Sequence, residues 1–411
     1  MREVVILGAG PAGIFAAINC TTAGRNVTII EKTSSAGKKL LISGGGQCNL
    51  TNAESPSLML KRYFGAGRFL KPSLMAFDSQ KLMDFFERRG LRLHTREDGK
   101  VFPVTYSAGD VLEVLLKECD RQGIKIVYNC RAKDVIQFPS GGFLVKTESD
   151  SINADYLLIA TGGKSYPETG STGDGFALAK KLGHSLSEQR PALTSVTIRN
   201  FGFGDLSGIS LRNVEVSLWR NLKKVTTRVE DLLFTHDGFS GPVILHLSRE
   251  ASPGDIIRLN LSGQLREKLE ANLISLLSKE GKKLVKNVLD EYGLPERLLS
   301  KIIDLAGVGE RICSEVRKDE RKALVTGLCE LDFEIERVGD FTNAMVTRGG
   351  VPLSEVNPKT MESRIVNNLF FAGEVLDFDG ETGGYNLQAA FSTGYVAGRT
   401  INARTSRVEN R

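Results

Sequence analysis

The opening residues predict a strand, a helix and a second strand in that order. Residues 4–7 form an apolar run that ends in glycine, residues 11–24 begin with small and apolar side chains, and residues 25–31 return to an apolar run closed by an acid. Short apolar runs bounded by glycine are typical of buried strands. The pattern therefore indicates two parallel strands joined by a helix.

The turn between the first strand and the helix carries a dinucleotide fingerprint. Gly8, Gly10 and Gly13 stand in the order G-x-G-x-x-G, in which the first makes a tight turn, the second admits a pyrophosphate and the third lets helix and strand pack closely. Pro11 suits the first helical turn, whose positive end would point at the diphosphate. Glu31 closes the second strand, where a carboxylate accepts hydrogen bonds from a ribose diol.

A glycine-rich segment, residues 32–52, favours FAD over a nicotinamide dinucleotide. It contains three consecutive glycines, Gly44–Gly46, between polar residues; such a loop can lay backbone N–H groups against a phosphate or a flat ring. Lys38 and Lys39 either add positive charge near the diphosphate or flavin edge or are solvated loop lysines. Cys48 is interpreted as a small packing residue, with proximity to the flavin as the alternative.

Two later segments predict further strands of the same sheet. Residues 156–159 are apolar and run into the glycines of 161–163, and residues 368–371 run into Gly373 and Glu374. A buried parallel strand that ends at a ligand crevice has this form. In FAD proteins of this general type, the carboxylate at this strand end takes ribityl hydroxyls, and we expect the same of Glu374.

The last helix is predicted to begin near Asn386. Its positive end would point at the N1–C2=O edge of a flavin and stabilise charge on the reduced ring. The alternative is a purely structural helix with Asn386 as its N-cap.

The pattern divides the chain into three parts. The predicted fold class is α/β: a Rossmann-like FAD-binding domain of the glutathione-reductase type, interrupted by a β-rich, barrel-like domain and a small α-helical domain. Alternating segments such as 214–219 and 224–230 indicate half-buried antiparallel strands, and 264–329 has apolar residues at helical spacing. The predicted boundaries are 1–190 and 340–411 for the FAD domain, 191–263 and 330–339 for the β-rich insert, and 264–329 for the helical insert. Within the first domain, the predicted elements are helices at 74–89 and 109–122, strands at 124–128, 131–138 and 143–148, and a hairpin turn at 139–142.

Composition narrows the class of protein without naming a partner. The 411 residues have a net charge of +5 and 43 glycines, and that charge is too small to demand a nucleic-acid or anionic-membrane partner. The six scattered cysteines form no C-x-x-C pair, so neither a disulfide framework nor a zinc site is predicted. With no apolar stretch near the ~18 residues of a membrane span, the expected location is the cytoplasm, with no membrane partner and no indication of oligomeric state.

Residues 37–52, GKKLLISGGGQCNLTN, resemble the signature of a bacterial flavoprotein family, the NAD(P)/FAD-dependent oxidoreductases that include aminoacetone oxidase and a bile-acid-pathway reductase. Four further segments are similar to the family in the same order: 101–116, 160–184, 232–245 and 357–398. The resemblance therefore covers most of the chain. One departure is Gln47, where the family usually has Arg, which removes the cation for an ionic contact there.

The motifs and the resemblance together identify a set of expected FAD contacts. These are Gly8, Gly10, Pro11, Ala12, Gly13, Glu31, Lys32, Lys38, Lys39, Leu40, Ser43, Gly44, Gly45, Gly46, Cys48, Asn49, Ala132, Thr161, Gly162, Gly163, Gly373, Glu374, Gly384, Asn386, Leu387 and Gln388. No metal is predicted, and NAD(P)H is a possible transient electron donor because there is one strand-borne fingerprint and no dithiol.

For catalysis the sequence offers two candidates. His236 lies in the loop 235–242, the most site-like part of the β-rich insert, which is expected to face the flavin; its imidazole would give or take a proton near neutral pH. Tyr385 stands beside the glycines that open the last helix. For each, a structural role in a tight turn is the alternative.

The reaction is left open at this point. The resemblance implies either oxidation of an amine with release of hydrogen peroxide or reduction of a conjugated C=C bond in a small ring substrate. Two other classes are a flavin-dependent RNA-modifying enzyme, which would use basic clusters at 88–96 or 317–322, and a non-catalytic flavin-binding redox protein. Acids lie among those basic residues and no aromatic residues are interleaved with them, so solvated helix faces are the favoured interpretation.

Overall fold

The computed structural model describes residues 2–20 and 25–405. Residues 21–24, the predicted end of the first helix, lie outside the described residues, as do Met1 and residues 406–411. The described chain forms two compact units, unit 1 (residues 1–192 and 341–411) and unit 2 (residues 193–340).

The strands follow one another in chain order. They are β1 (Arg2–Leu7), β2 (Arg25–Ile30), β3 (Thr51–Asn52), β4 (Leu93–Thr95), β5 (Lys100–Pro103), β6 (Lys125–Val127), β7 (Asp134–Gln137), β8 (Phe143–Lys146), β9 (Ser151–Ala154), β10 (Tyr156–Ile159), β11 (Arg190–Ala192), β12 (Val196–Ile198), β13 (Ser210–Arg220), β14 (Lys223–Phe234), β15 (Gly238–Ser240), β16 (Ile256–Asn260), β17 (Leu331–Val338), β18 (Val346–Arg348) and β19 (Leu369–Phe371).

The helices alternate with these strands. They are α1 (Pro11–Cys20), α2 (Lys38–Leu41), α3 (Pro56–Met59), α4 (Gly67–Ala76), α5 (Ser79–Glu87), α6 (Ala108–Arg121), α7 (Asp174–Lys181), α8 (Pro242–Leu247), α9 (Arg266–Lys279), α10 (Val285–Leu289), α11 (Glu296–Leu305), α12 (Lys318–Cys329) and α13 (Tyr385–Thr405).

Unit 1 is built on a five-stranded parallel sheet with the order β19-β10-β1-β2-β6. Residues 4–7 of β1 are at most 2% exposed, which explains why this part of the strand is apolar: both its faces are covered, as in other parallel sheets. The carboxyl ends of β1, β10 and β19 therefore meet at one edge, and the three glycine-bearing loops predicted from the sequence follow these strands. This confirms the predicted Rossmann-like arrangement.

One predicted helix of unit 1 is wrong in its extent. The segment 74–89 is divided between α4 and α5, because the side chain of Asp78 accepts a hydrogen bond from the Lys81 N–H at 2.9 Å and caps a new helix. By contrast, α6 covers the predicted 109–122 within one residue, with Ser107 as its N-cap.

Unit 2 is a closed barrel with the strand order β12-β15-β14-β13-β16-β17. Its interior contains a cluster of edge-to-face and tilted phenylalanines, including Phe203, Phe239 and Phe333. The helices α9–α12 fall in the predicted helical segment 264–329, and their buried leucines belong to the same hydrophobic cluster as the barrel strands. Barrel and helices thus share one core.

Candidate functional site

The three glycines of the first turn are required for three different reasons. Gly8 has a φ of +103°, and a Cβ there would lie 2.6 Å from the Ala160 carbonyl oxygen. A Cβ on Gly13 would overlap the Gly8 carbonyl oxygen, whereas a Cβ on Gly10 would meet no atom within 4 Å. Gly10 therefore faces open space at the N-terminus of α1, which is where the fingerprint places the pyrophosphate.

Glu31 is fixed beside this turn by its two carboxylate oxygens. One accepts a hydrogen bond from Ala9 N at 2.9 Å and the other from Thr33 N at 2.8 Å. The Cys130 N–H donates to the Glu31 carbonyl, so the loop that carries Ala132 is held next to it. This geometry suits a carboxylate that binds a ribose, because its orientation is set by the backbone before any ligand arrives.

Lys32 extends toward the loop that follows β10. Its ammonium lies 2.9 Å from Asp174 Oδ2 and also contacts the Thr172 hydroxyl, and Arg131 forms a second ion pair with Asp174 at 2.7 Å. The two cations hold the pKa of the half-buried Asp174 carboxyl below its ordinary value against the opposing effect of burial. The network ties residues 31–33 to the start of α7; Asp174 was missed at the sequence level because its partner Lys32 is 142 residues away.

The glycine-rich loop has an unusual backbone. Gly44, Gly45 and Gly46 have φ values of +57°, +67° and +88°, a run of left-handed conformations that other L-residues avoid. The loop is exposed at Gly44 and Gly45, while Cys48 is buried and burial raises the pKa of its thiol to about 12. This agrees with the packing interpretation of Cys48.

Other residues of this loop divide between core and surface. Leu40 is 1% exposed and packs in the core, so its side chain is not available to a cofactor. The Ser43 hydroxyl donates to the Leu40 carbonyl at 2.6 Å, and Lys38 is half-buried. Gln47, at the position where an arginine was expected, is exposed.

At the sheet edge, Glu374 joins two parts of the chain. The Lys39 ammonium lies 2.7 Å from one carboxylate oxygen, and the Thr347 N–H donates to the other at 2.6 Å. The Thr347 hydroxyl in turn accepts from Lys164 N at 2.7 Å, just after Gly163. Lys39 is thus an ion-pair partner at the sheet edge rather than a solvated lysine, and Thr347 is a residue that no sequence motif indicated.

The neighbouring strand end contributes mainly backbone. A Cβ on Gly163 would overlap the Thr347 hydroxyl, and Gly162 has a φ of +74°. Thr161 turns its hydroxyl inward against Gly175, where Oγ1 is buried without a hydrogen-bond partner among the described residues. Only the main chain of residues 161–163 therefore faces the crevice.

The start of α13 is attached to the glycine-rich loop. Gly384 has a φ of +93°, and a Cβ there would lie 2.6 Å from Thr51 Cα. The Asn49 amide lies between these segments: with its oxygen toward Gly384 N (3.1 Å), its nitrogen donates to the Thr51 carbonyl (3.0 Å). Gly373, on the other flank, would place a Cβ 2.9 Å from that of Ala12.

The side chains of two predicted contacts in α13 form hydrogen bonds within the protein. Asn386 lies inside the helix, which begins at Tyr385, so the N-cap alternative is wrong; its amide holds the preceding loop by hydrogen bonds with the N–H and carbonyl of Gly380 at 2.8 and 2.9 Å. Gln388 is fully buried and bonds to Thr51, Phe77 and Ser392. Leu387, between them, is partly buried against the core.

Tyr385 is enclosed rather than presented to a substrate. It is 4% exposed and packs edge-to-face on Tyr63, whose hydroxyl donates to the Tyr385 carbonyl at 2.8 Å. Burial, more than the neighbouring Glu54 and Glu381, raises the pKa of the Tyr385 phenol, and Arg62 opposes that effect. The enclosure of the Tyr385 side chain favours the structural alternative for this residue.

His236 lies in unit 2, in the exposed loop between β14 and β15. The Asp237 side chain beside it is within 3.3 Å of the Thr197 and Thr235 hydroxyls, which orders this loop. Two other histidines are buried and paired: His184 bonds to Glu355 and Ser363 at 2.7 and 2.9 Å, and His246 bonds to Glu230 at 2.7 Å. Burial lowers the pKa of His184.

Several features of unit 1 are suited to an extended dinucleotide. Gly10 and Gly45 each have open space where a Cβ would project, and Leu41 and Ile42, between them in sequence, are 37% and 41% exposed. Such a surface of open glycines and exposed aliphatic side chains is one that an FAD would cover. Glu31 at one end and Glu374 at the other supply carboxylates suited to the hydroxyls of a ribose and a ribityl chain.

Other ligand classes find less support in the described residues. Each basic cluster considered at the sequence level includes a cation that is paired with an acid: Arg89 with Glu118 at 3.1 Å and Arg317 with Glu320 at 2.9 Å. Within residues 2–20 and 25–405, no group of His, Cys, Asp or Glu is arranged to hold a metal ion, and no helix is long and apolar enough to cross a membrane.

Comparison with known families gives a match over nearly the whole chain. The profile of the HI0933-like protein Rossmann domain matches residues 2–400. A curated relative from Clostridium scindens, a 3-dehydro-bile acid delta(4,6)-reductase, is 30% identical over 98% of this chain and 100% of its own length. A ribosomal RNA dihydrouridine synthase from Haemophilus influenzae is 31% identical over 97% of this chain and 98% of its own.

Solved structures agree on the fold. A 3-ketosteroid-Δ4-(5α)-dehydrogenase from Rhodococcus jostii RHA1 aligns with a TM-score of 0.54 at 15% identity, over 98% of this chain and 97% of that one. At this identity the likeness shows the flavoprotein fold alone. The bile-acid reductase expected from the sequence is thus confirmed as a relative; aminoacetone oxidase is not shown, and the RNA-modifying relative is one that the family resemblance did not name.

Proposed function

The chain belongs to the HI0933-like Rossmann-domain family of flavin-dependent oxidoreductases, and we propose that it reduces a C=C bond conjugated to a carbonyl group. The observation that carries the proposal is that two relatives with unlike substrates share this chemistry. A double bond at position 4 of a 3-oxo steroid is conjugated to the ketone, and the C5=C6 bond of uracil is conjugated to its C4 carbonyl. The common reaction adds a hydride at the far carbon and a proton at the near one.

FAD is the cofactor that supplies the hydride in this proposal. In this chain, Gly8–Gly13 and the start of α1 would hold the diphosphate, Glu31 the adenosine ribose, and Glu374 the ribityl chain. The Lys39 ion pair keeps Glu374 oriented and joins the glycine-rich loop to the sheet edge. The start of α13, positive by its helix dipole, lies beside Asn49 of that loop and favours negative charge there.

The proposed reduction also needs a proton donor. Tyr385 is enclosed, so His236 is the remaining candidate from the sequence, by the chemistry of its imidazole and its exposure. NADH or NADPH is the proposed electron donor. The proposed substrate class is a small molecule in which a ring C=C bond is conjugated to a ketone. Oxidation of an amine, the other reaction that the family resemblance implies, lacks support from the two full-length relatives.

An anaerobic reoxidation experiment tests this function. The FAD-loaded protein, reduced without oxygen, is mixed with a 3-oxo-4-ene steroid, its saturated analogue or an amine, and the flavin spectrum is followed. We expect rapid reoxidation by the enone alone, with a product heavier by two hydrogens. A flavin that stays reduced until air is admitted would contradict the proposal, as would reduction of the oxidised, FAD-loaded protein by an amine in a parallel experiment.

A second candidate substrate is uridine in RNA. It is favoured by the 31% identity, over nearly the full length of both chains, to a ribosomal RNA dihydrouridine synthase. The same reduced protein would then be reoxidised by a uridine-containing RNA, and digestion of that RNA would release dihydrouridine. Reoxidation by free enones without any dihydrouridine formed in RNA would exclude this candidate while leaving the reductase chemistry intact.

A further inference from the structure

One stretch of unit 1 carries cations and no acids. Residues 55–77 contain Lys61, Arg62, Arg68 and Lys71 but neither Asp nor Glu. Arg62 is neutralised by ion pairs with Glu54 and Glu381. Among the described residues, Lys61, Arg68 and Lys71 form no ion pair, which distinguishes them from Arg89, Arg96 and Arg317, each of which pairs with an acid.

These three cations are exposed, Arg68 and Lys71 on one face of α4 and Lys61 in the turn before it. Arg68, Lys71 and Met75 recur at helical spacing on the exposed face of α4, while its opposite face is buried. The start of α4 abuts the turn before Lys61, since a Cβ on Gly67 would overlap the Leu60 carbonyl oxygen. Leu58 and Met75, 49% and 55% exposed, add apolar contact area to this surface. We call Leu58, Lys61, Arg68, Lys71 and Met75 the α4 face.

The segment that carries the α4 face is hydrogen-bonded to α13 at both ends of α4. The Tyr63 hydroxyl, from the turn before α4, donates to the Tyr385 carbonyl at 2.8 Å. At the other end of α4, the Phe77 carbonyl accepts hydrogen bonds from Gln388 at 3.0 Å and Ser392 at 2.6 Å. Both ends of α4 are thus attached to α13, the helix whose start borders the crevice.

From this arrangement we propose that the α4 face docks the phosphate backbone of an RNA. Unpaired cations one helical turn apart are complementary to a row of phosphates, and Leu58 and Met75 would contact ribose and base surfaces. RNA alone among the proposed substrates carries phosphates and a conjugated uracil ring on one molecule. The inference rests on the second candidate function, because it gives that substrate a surface beside the crevice.

RNA binding by the full chain tests the proposal directly. The probe is a fluorescently labelled RNA stem-loop with uridines in its loop, and anisotropy is measured over a range of salt concentrations. The variant Lys61→Gln/Arg68→Gln/Lys71→Gln is compared with Lys268→Gln/Lys282→Gln/Lys322→Gln, which removes the same charge from exposed residues of unit 2. We expect the first variant to bind about tenfold or more weakly, with a salt slope reduced by about one per cation, and the second to resemble the wild type.

A second pair of changes separates charge from apolar contact. Leu58→Ala/Met75→Ala should weaken RNA binding without changing the salt slope. Equal losses in the two glutamine variants would overturn the proposal, as would the absence of saturable RNA binding by the wild type, or binding to phosphatidylserine vesicles in place of RNA.

The reoxidation assay keeps the two proposals apart. In the variant of the α4 face, reoxidation by a free enone should be unchanged, because none of these residues belongs to the FAD crevice. Lost RNA binding with retained enone reduction supports the docking surface. The wild-type protein could also bind RNA through the α4 face and yet have no reductase activity. That result would contradict the proposed function but not the docking surface.

Discussion

At the scale of single residues, the dinucleotide fingerprint was predictable because each of its glycines meets a local steric requirement. Gly8, Gly10 and Gly13 stand where the backbone turns, where a ligand approaches and where a helix meets a strand. Side chains that act through distant partners were not predictable. Thr347 reaches Glu374, and Gln388 reaches Phe77 across 311 residues, and no local pattern records such pairs.

Gly13→Ala should destabilise unit 1. The added methyl group would overlap the Gly8 carbonyl oxygen, which is backbone and cannot swing aside, so strand and helix must separate at a cost of about 1–3 kcal/mol or more. Thermal and urea unfolding measure the effect. Gly10→Ala is the matched control: it adds the same methyl group to open space and should leave stability within about 0.5 kcal/mol of the wild type.

Because Lys39 and Glu374 form an ion pair, the effect of changing one of them on FAD affinity should depend on whether the other is present. We expect Lys39→Met and Glu374→Gln each to weaken FAD binding, and the double variant to lose less than the sum of the two, with a coupling of about 1 kcal/mol for a pair that is largely buried. FAD titrations of the four proteins complete the cycle. Strict additivity would show that the pair does not act as a unit.

His236→Gln should slow the proposed reduction by about 10²–10⁴-fold while FAD binding is retained. The reason is that glutamine keeps the polarity of the loop but cannot deliver a proton. His94→Gln, at another exposed histidine, is the control. Stopped-flow reoxidation by an enone separates this step from reduction by NAD(P)H, and an unchanged rate in His236→Gln would remove this residue from the mechanism.

At the scale of elements, periodicity located the strands and helices better than it located their functions. The segments 214–219 and 224–230 were predicted as strands and lie within β13 and β14, and α6 agrees with its prediction within one residue. The break between α4 and α5 was missed because the apolar periodicity continues across Asp78. That periodicity does not show that the Asp78 side chain caps a new helix. In α13, two residues expected to contact the cofactor have side chains bonded within the protein: Asn386 to the preceding loop and Gln388 to Phe77.

The ion pairs of Glu118 in α6 lead to a prediction about the stability of the protein in acid. Hydrogen bonds from Arg121, together with Arg89 and Gln122, lower the pKa of Glu118 from 4.5 to about 2. Because the folded pKa lies below the ordinary one, this contribution to stability is fully present above about pH 4.5 and is lost as the pH falls toward 2.

Glu118→Gln should therefore destabilise the protein by about 1–3 kcal/mol near neutral pH. The difference from the wild type should shrink as the pH approaches the folded pKa. Urea unfolding of both proteins at neutral and acidic pH measures it, and a difference independent of pH would show that the ionised form of Glu118 is not what stabilises α6.

At the scale of the whole molecule, the order of segments in the chain predicted the fold class, since β1, β10 and β19 come from distant parts of the sequence yet end at one edge. The barrel was foreseen from alternating segments. The sequence did not predict that helices α9–α12 share the hydrophobic cluster of the barrel. The apolar spacing of a helix shows which of its faces is buried but not which element covers that face.

The central claim is that the open edge of the unit 1 sheet binds FAD. FAD titration of the wild type and Gly10→Ala, with unfolding measured in parallel, tests it most directly. We expect one FAD per wild-type chain, and a Gly10→Ala protein of normal stability that binds FAD at least tenfold more weakly because its methyl group fills the space for the diphosphate. Equal FAD affinity in the two proteins, or no FAD binding by the wild type, would contradict the claim.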